Sequence, residues 1–302
     1  EKVDIDAFTF LAGLRYDNYD LRILDNDAFT DVAGQSRTMD HASWRGGITW
    51  RALTWLSLRA SAGSAFTPPD ADKFCGLYRS SGTNAIGNPS LLPETSTTWE
   101  GGFDIDWRGL KFSGTGFYTF YTNAITTTTT TVGGETNWQT WVNSAGWRLA
   151  GLEAFTRYTT SWSLGSHRLT VTPSLNAIWY LERREEDDAL VNAHGTDMVL
   201  NLSEYSLTPG VQFGFDSWVT LNLNGQWQGP QKVIDWNTNS ARYGTVVNKD
   251  PFFVMNARLS FKPVAKLEPY VFVNNLGDER YSYVDGYPMP GRTIGVGLRY
   301  EF

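Results

Sequence analysis

Thr293-Ile294-Gly295-Val296-Gly297-Leu298-Arg299-Tyr300-Glu301-Phe302 decides the fold of this 302-residue chain. Successive side chains of a strand point to opposite faces, so Ile294, Val296, Leu298, Tyr300 and Phe302 share one side, and Thr293, Gly295, Gly297, Arg299 and Glu301 the other. A terminal strand of a soluble sheet tends to fray or to be blunted with charge. Unbroken alternation up to a final aromatic instead fits a strand with lipid on one face and water on the other.

The same alternation recurs along the chain. Phe8, Phe10, Ala12, Leu14 and Tyr16 oppose Thr9, Leu11, Gly13, Arg15 and Asp17, with Leu11 the one apolar exception. Trp44, Ile48 and Trp50 oppose Ser43, Arg45 and Thr49, and Trp99, Phe103, Ile105 and Trp107 oppose Glu100, Asp104 and Asp106. Val219, Leu221 and Leu223 oppose Thr220, Asn222 and Asn224, while Phe253, Met255, Ala257, Leu259 and Phe261 oppose Asn256, Arg258, Ser260 and Lys262. Period two is the primary strand signal, and these second faces are hydrophilic, as a barrel lumen is. The apolar faces carry aromatics at both ends: Trp50, Trp107, Phe215, Phe261 and Phe302 at one, Tyr16, Phe66, Phe120, Trp179 and Trp227 at the other. Two interfacial girdles are implied. A soluble sandwich with an aromatic core is the competing fold; it accounts for the alternation but not for the two bands.

Composition agrees. Hydrophobic content is 41% and mean hydropathy −0.33, and no stretch approaches the roughly 18 to 20 apolar residues of a membrane helix. A barrel keeps average hydropathy low because half of each spanning strand faces water; aromatics at 15%, with 13 Trp, carry the signal. A net charge of −7 and the lack of a basic cluster argue against nucleic acid as a partner. The lone Cys75 has no partner for a disulfide and offers no metal-ligand pair. Glu1 opens no secretory signal, so an exported barrel would be a mature product or a fragment.

Short and long connections alternate, as at the two rims of a barrel built from hairpins. The short ones fall at Ala52-Leu53-Thr54, Arg108-Gly109, the Thr160 to Ser166 stretch, Asp216-Ser217 and the Lys262 to Lys266 stretch; the long ones cover 18 to 36, 67 to 94, 123 to 145, 183 to 197, 230 to 249 and 275 to 291. The expected fold is an all-β, antiparallel, up-and-down transmembrane β-barrel with about twelve strands in one domain over residues 1–302, both chain ends on the short-turn rim. The threonine run Thr126 to Thr131 and the acidic patch Glu185-Glu186-Asp187-Asp188 read as solvated loop. Aromatics and donors grouped in the long loops are the candidates for contacting a ligand: Tyr78 with Arg79, Trp138 with Trp141, and Trp236 with Arg242 and Tyr243. An enzyme would have to use His41, His167 or His194. His41 shares a face with Ser43 but no acidic partner or nucleophile motif accompanies it, and His194 near an acidic loop is a weak metal site. No catalytic residue, metal or cofactor is expected.

Three segments resemble the C-terminal part of a TonB-dependent outer-membrane receptor. Leu58 to Pro69, LRASAGSAFTPP, is similar to the family's strand ending in a Phe-x-x-Pro-type loop entry. Gly87-Asn88-Pro89-Ser90-Leu91-Leu92-Pro93-Glu94-Thr95-Ser96 is similar to its Gly-Asn-Pro-x-Leu-x-Pro-Glu-x-Ser run, and Val273-Asn274-Asn275-Leu276-Gly277-Asp278-Glu279-Arg280-Tyr281 with Pro290-Gly291-Arg292 resembles its closing signature. The prolines also have a local reading, since each fixes its own φ and biases its predecessor to extended backbone.

The resemblance implies a 22-stranded barrel of which this chain is the C-terminal part, closed around an N-terminal plug not recognisable here. It implies active, noncovalent uptake of a scarce nutrient at the bacterial outer membrane, a ferric siderophore first, with cobalamin and haem as alternatives. Haem is disfavoured because residues 70 to 87 hold no His. Implied partners are the TonB-ExbB-ExbD energising complex acting through the plug, the remaining N-terminal part of the receptor, outer-membrane lipid and lipopolysaccharide, and the barrel-assembly machinery, whose signal would be Tyr300 and Phe302. About twelve strands would leave edges near Phe8 and Ile294 that hydrocarbon does not tolerate. A second polypeptide completing the barrel is therefore favoured over a self-closed twelve-stranded pore or translocator.

Overall fold

In a computed structural model the chain runs β1 (Lys2–Ile5), β2 (Phe8–Arg22), β3 (Ser36–Leu53), β4 (Leu56–Thr67), α1 (Ala71–Cys75), β5 (Leu77–Arg79), β6 (Asn84–Ile86), β7 (Glu94–Trp107), β8 (Leu110–Thr122), β9 (Ile125–Val132) and β10 (Glu135–Asn143). It continues with β11 (Gly146–Tyr158), β12 (Thr160–Leu164), β13 (His167–Glu185), α2 (Asp188–His194), β14 (Tyr205–Phe215), β15 (Val219–Gln228), β16 (Gln231–Ile234), β17 (Val246–Lys249), β18 (Phe252–Phe261), β19 (Leu267–Asn274) and β20 (Thr293–Tyr300). The structure describes residues 1–22, 36–79, 84–237, 239–262 and 266–300, the side chains of Tyr78 and Arg79 excepted. Phe302 and part of the 18 to 36 and 262 to 266 connections lie outside the described residues.

One antiparallel sheet forms the wall, in the order β1-β2-β3-β4-β7-β8-β11-β13-β14-β15-β18-β19-β20, with β12 on β13. Apart from short β1 and β12, twelve strands make up the wall. Each pairs with its sequence neighbour in the wall, as in an up-and-down barrel. The sheet is open: among the described residues no pairing joins β20 to β1 or β2. Lys2–Ile5 covers only Phe8 to Leu11 of the first long strand. Leu14 at that edge and Val296 at the other are 90% and 83% exposed.

Turn chemistry follows the residues. Arg108 and Gly109 both take positive φ, 49° and 86°, the two-residue geometry whose twist matches the flanking strands and which favours glycine. Asp216 also has positive φ, and its carboxylate accepts from the Arg168 amide at 2.6 Å and lies 2.8 Å from His167 Nδ1. The Thr160 to Ser166 stretch departs from expectation. Its first five residues form β12, which pairs with β13 from Thr160↔Val171 to Leu164↔His167, so the hairpin extends beyond the wall and turns at Gly165, φ +66°.

The two faces are as the alternation predicts. Phe8, Trp50, Trp107 and Phe261 are exposed toward the short-turn rim, and Tyr16, Phe120, Trp179 and Trp227 toward the long-loop rim. Tyr205 links the last two, with ring centroids 6.3 Å from Trp179 and 5.9 Å from Trp227. Phe66 does not join that girdle. Beyond Arg45↔Gly63 no β3–β4 pairing continues, and the Phe66 ring stacks on His41 at 4.8 Å and lies 5.6 Å from Tyr19, residues of the hydrophilic-face parity.

Buried apolar side chains concentrate at the long-loop rim: Phe74, Leu91, Trp138, Val199 and Val233 are among them. The long connections are therefore structured. β9 and β10 form a hairpin that joins β5 and β6 in a four-stranded sheet, and β16 and β17 form a second hairpin. The threonine run is β9 rather than irregular loop, because β-branched residues suit an extended pleated surface. In the acidic patch, Glu185 ends β13 and the Asp187 carboxylate caps α2, accepting from the amides of Ala189 and Leu190.

Candidate ligand mouth and lumen wall

The Gly87 to Glu94 run is a latch between two loops. Asn88 Nδ2 donates to the Trp141 carbonyl at 2.8 Å, and Asn143 exchanges bonds with the backbone of Leu92 at 2.7 and 2.8 Å. Asn143 Nδ2 also reaches the Asn123 carbonyl at 2.9 Å, while Glu94 accepts from the Ile125 amide at 2.8 Å. A Cβ on Gly87 would sit 2.7 Å from the Cys75 nitrogen, so the run packs directly on the end of α1. Leu91, fully buried, pins its centre. Each polar bond satisfies loop backbone that would otherwise be stranded away from strand partners.

A second anchor is Asn275, 3% exposed with φ +51°. Its amide donates to Asn256 Oδ1, its Nδ2 donates to the Glu279 and Pro290 carbonyls, and its Oδ1 accepts from the Glu279 amide. Asp278 Oδ1 accepts from the Arg292 amide at 2.7 Å and closes the loop. The loop tip then folds over the inner face of the wall. Tyr281 and Tyr283 pack on Phe252 at 4.9 and 5.5 Å, and Tyr283 Oη donates to Gln226 Oε1 at 2.6 Å. Lys249 Nζ donates to the carbonyls of Ser282 and Tyr283 at 2.5 and 3.1 Å; burial lowers its pKa from the ordinary lysine value. Tyr281, Tyr287, Phe252, Lys249 and Arg280 border a concavity of about 550 Å³.

The β16–β17 hairpin carries the most exposed ring pair. Its tip is held by Asp235, buried, which accepts from the Asn237 amide at 2.9 Å and whose amide and carbonyl bond Thr245 and Gly244. Bonds from Ser240 and the Asn237 amide hold its carboxyl below the usual range. Trp236 and Tyr243 project from this base, 62% and 52% exposed, with centroids 5.9 Å apart and Arg242 between them in sequence.

Of the seven loop residues expected to meet a ligand, Trp236, Arg242 and Tyr243 share this tip. Trp138 is 1% exposed, with Nε1 donating to Glu135 at 3.2 Å, and belongs to the buried interior of the four-stranded sheet. Trp141 lies two strand positions beyond Gln139, partly buried, with its carbonyl taken by Asn88. Tyr78 and Arg79 lie on β5, their side chains outside the described residues, and Tyr300 ends β20. Sequence reasoning missed Tyr281, Tyr283, Tyr287, Arg280 and Lys249; the signal available was three tyrosines in Arg280 to Tyr287, a density unusual for plain loop. His41 meets Phe66 rather than a carboxylate, and among the described residues no group of three or more His, Cys, Asp or Glu is placed to hold a metal.

Below the mouth the inner wall is polar and networked. Arg59 Nε pairs with Asp104 at 3.1 Å and its Nη2 donates to Ser113 and Thr115, while Ser113 donates to Asp104 at 2.7 Å. Ser61 donates to Glu100 at 2.9 Å. Arg59, Glu100, Ser113 and Thr115, with Glu153 and Asn176, line a concavity of about 450 Å³.

The fold has counterparts. The siderophore receptor PirA from Acinetobacter baumannii superposes with a TM-score of 0.67 at 17% identity, covering 99% of this chain and 44% of that one. The R480A mutant of the ferric enterobactin receptor from Pseudomonas aeruginosa, bound to enterobactin, gives 0.69 at 19% identity with coverages of 99% and 44%. At such identities the likeness is one of fold. A hemin receptor from Yersinia pestis is 24% identical over 97% of this chain and 41% of its own length. The chain thus spans less than half of the relatives it matches. The family model described as TonB dependent receptor-like, beta-barrel matches residues 2–276, nearly the whole wall, and the chain belongs to that family.

Proposed function

We propose that the chain is the C-terminal wall and mouth of an outer-membrane receptor that takes up an iron complex, a ferric siderophore being the favoured cargo. One observation carries the reading: exposed rings and cations, Trp236, Tyr243 and Arg242 on one loop and Tyr287 and Arg280 on another, stand on rigid anchors above a polar lumen. Aromatic faces and guanidinium groups suit the ligand rings and negative charge of a bulky, anionic, oxygen-rich ferric chelate. The open sheet supports completion by further strands, since unpaired backbone in hydrocarbon costs several kcal/mol per group. Residues 1–302 would then be one part of a barrel domain, with an N-terminal plug and the first strands supplied by the rest of the receptor. The plug would couple uptake to TonB-ExbB-ExbD, and Tyr300 with Phe302 would address the barrel-assembly machinery. The wide concavity beside Tyr281 and Tyr287 favours a bulky chelate over haem, and residues 70 to 87 contain no His.

The test is transport by cells expressing the full-length receptor under iron limitation, using radioiron-loaded catecholate, hydroxamate and carboxylate chelates, radioiron-labelled haem and radiocobalt-labelled cobalamin. Accumulation of one chelate that collapses without TonB supports the reading. Saturation by haem or cobalamin alone would replace the cargo, and TonB-independent ion conductance would make the protein a passive pore.

A further inference from the structure

The two loops that carry the exposed rings share one base. Gln231 and Lys249 are register partners across β16 and β17, at the foot of the hairpin that ends in Trp236, Arg242 and Tyr243. Both side chains reach the same carbonyl of the other loop: Gln231 Nε2 donates to the Tyr283 carbonyl at 3.2 Å, and Lys249 Nζ to that carbonyl at 3.1 Å and to the Ser282 carbonyl at 2.5 Å. An ammonium has three donors, so one side chain can hold two successive carbonyls.

The clamp continues into the wall. Gln231 and Ser203 are both buried, and Gln231 accepts from the Ser203 hydroxyl at 3.1 Å, which in turn accepts from Gln228 Nε2 of β15 at 2.5 Å. Two positions earlier on the same face of β15, Gln226 receives the Tyr283 hydroxyl. Tyr283 is therefore held at both ends, its carbonyl by the hairpin and its hydroxyl by the wall. Beyond it the loop tip closes on itself: Ser282 bridges Pro288, and the Met289 amide donates to the Tyr281 carbonyl at 2.9 Å. Arg280 and Tyr287 thus belong to a small unit seated on the Gln231 and Lys249 pair. A buried network connected in this way selects one arrangement, because any other leaves a donor or a carbonyl unpaired.

We infer that Lys249, together with Gln231, is a positioning residue for cargo recognition. It sets the Arg280 to Tyr287 loop tip against the hairpin of Trp236 and Tyr243, so that the two loops engage the iron complex as one unit. The inference rests on the receptor reading above and adds to it a coupling between loops that lie far apart in sequence. Contacts made by separate, unlinked residues add in free energy, whereas contacts made from elements that share one hydrogen-bonded network do not. Loss of Lys249 should therefore change how the two loops combine, beyond any change in affinity.

The experiment measures equilibrium binding to the full-length receptor in outer-membrane vesicles, the probes being the radiolabelled ferric chelates, haem and cobalamin of the transport panel. With the probe that binds the wild type, dissociation constants are compared for Trp236→Ala, Tyr287→Ala and the double variant, each with Lys249 intact and with Lys249→Met. With Lys249 intact, the double variant is expected to depart from the product of the single effects by about fivefold or more; with Lys249→Met the departure should fall within about twofold, as for uncoupled sites. Lys249→Arg, which keeps the charge and several donors, should restore it. If Lys249→Met does not assemble, Gln231→Ala takes its place and should lower the departure as well. A network that merely stabilised the fold would weaken binding by one common factor and leave the departure intact. That result in the clamp variant, or additivity already with Lys249 intact, would overturn the inference. Failure of the receptor reading looks different: the wild-type receptor would bind none of the probes and show no TonB-dependent transport.

Discussion

Along the wall, from β2 to β20, position alone tells a side chain what to be, because each strand has lipid on one face and water on the other. In the cap of loops above it, individual residues decide: Asn88, Leu91, Asn143 and Asn275 each hold a segment that no periodicity describes. The wall has almost no buried apolar interior, its belt being solvated by lipid in a membrane, whereas the cap holds the largest fully buried side chains, Leu91 and Trp138 in one group of loops and Val233 in the β16–β17 hairpin. The wall is thus a distributed, redundant structure, and the cap one of few and unequal anchors. That difference suits a receptor whose frame must be rigid and whose mouth must differ between ligands.

The comparison is broken hardest by adding bulk inside the wall. A Cβ at Gly102 would lie 2.5 Å from the Gly114 carbonyl oxygen and 3.1 Å from the Arg59 guanidinium carbon. Gly102→Val should therefore separate β7 from β8 and disturb the Arg59 pair, costing about 3 kcal/mol or more. The expected result is loss of heat-modifiable barrel from the outer membrane; normal assembly would mean the wall tolerates local parting. In the cap, Leu91→Ala removes a fully buried side chain at about 2 to 5 kcal/mol. Here the barrel should assemble while protease cuts appear in residues 67 to 94; unchanged protection would deny the cap its own core. Asn275→Ala strands several backbone groups of the 275 to 292 loop, each costing about 1 to 3 kcal/mol if left unpaired. Faster amide exchange confined to that loop and to Tyr281 and Tyr283 is expected, with exchange in β18 and β19 unmoved.

These contrasts also explain what the sequence discloses. Alternation from Phe8 to Tyr16 or from Phe253 to Phe261 is a local code read by one solvent boundary, so strand number, face and rim are legible directly. Phe66 obeys that code and still leaves its girdle, because pairing between β3 and β4 lapses there and His41 offers a stacking partner. Thr126 to Thr131 reads as polar loop, yet its partner strand, Glu135–Asn143, makes it a sheet. Trp138 and Trp236 look alike in sequence; a neighbouring sheet buries one and leaves the other in solvent. Loop side chains answer to long-range contacts, which residue type alone does not encode.

The smallest expected effect lies at the short-turn rim, where the wall uses a cap-like anchor. The Arg168 amide first, and His167 second, hold the Asp216 carboxyl below its ordinary value of 3.8. A carboxyl whose pKa is depressed by folding binds its proton more readily when unfolded, so its contribution is complete above that ordinary value and fades as pH falls through the lower folded one. The group is exposed, and the effect on overall stability should be slight. Asp216→Asn should flatten the fall in thermal midpoint of the detergent-solubilised full-length receptor between pH 5 and 3, and leave the profile above pH 5 parallel to wild type. Superimposable slopes in the acid range would show that the turn is held by its backbone bonds alone, the Asp216 amide to the Arg168 carbonyl at 2.7 Å among them. The rim would then follow the distributed logic of the wall.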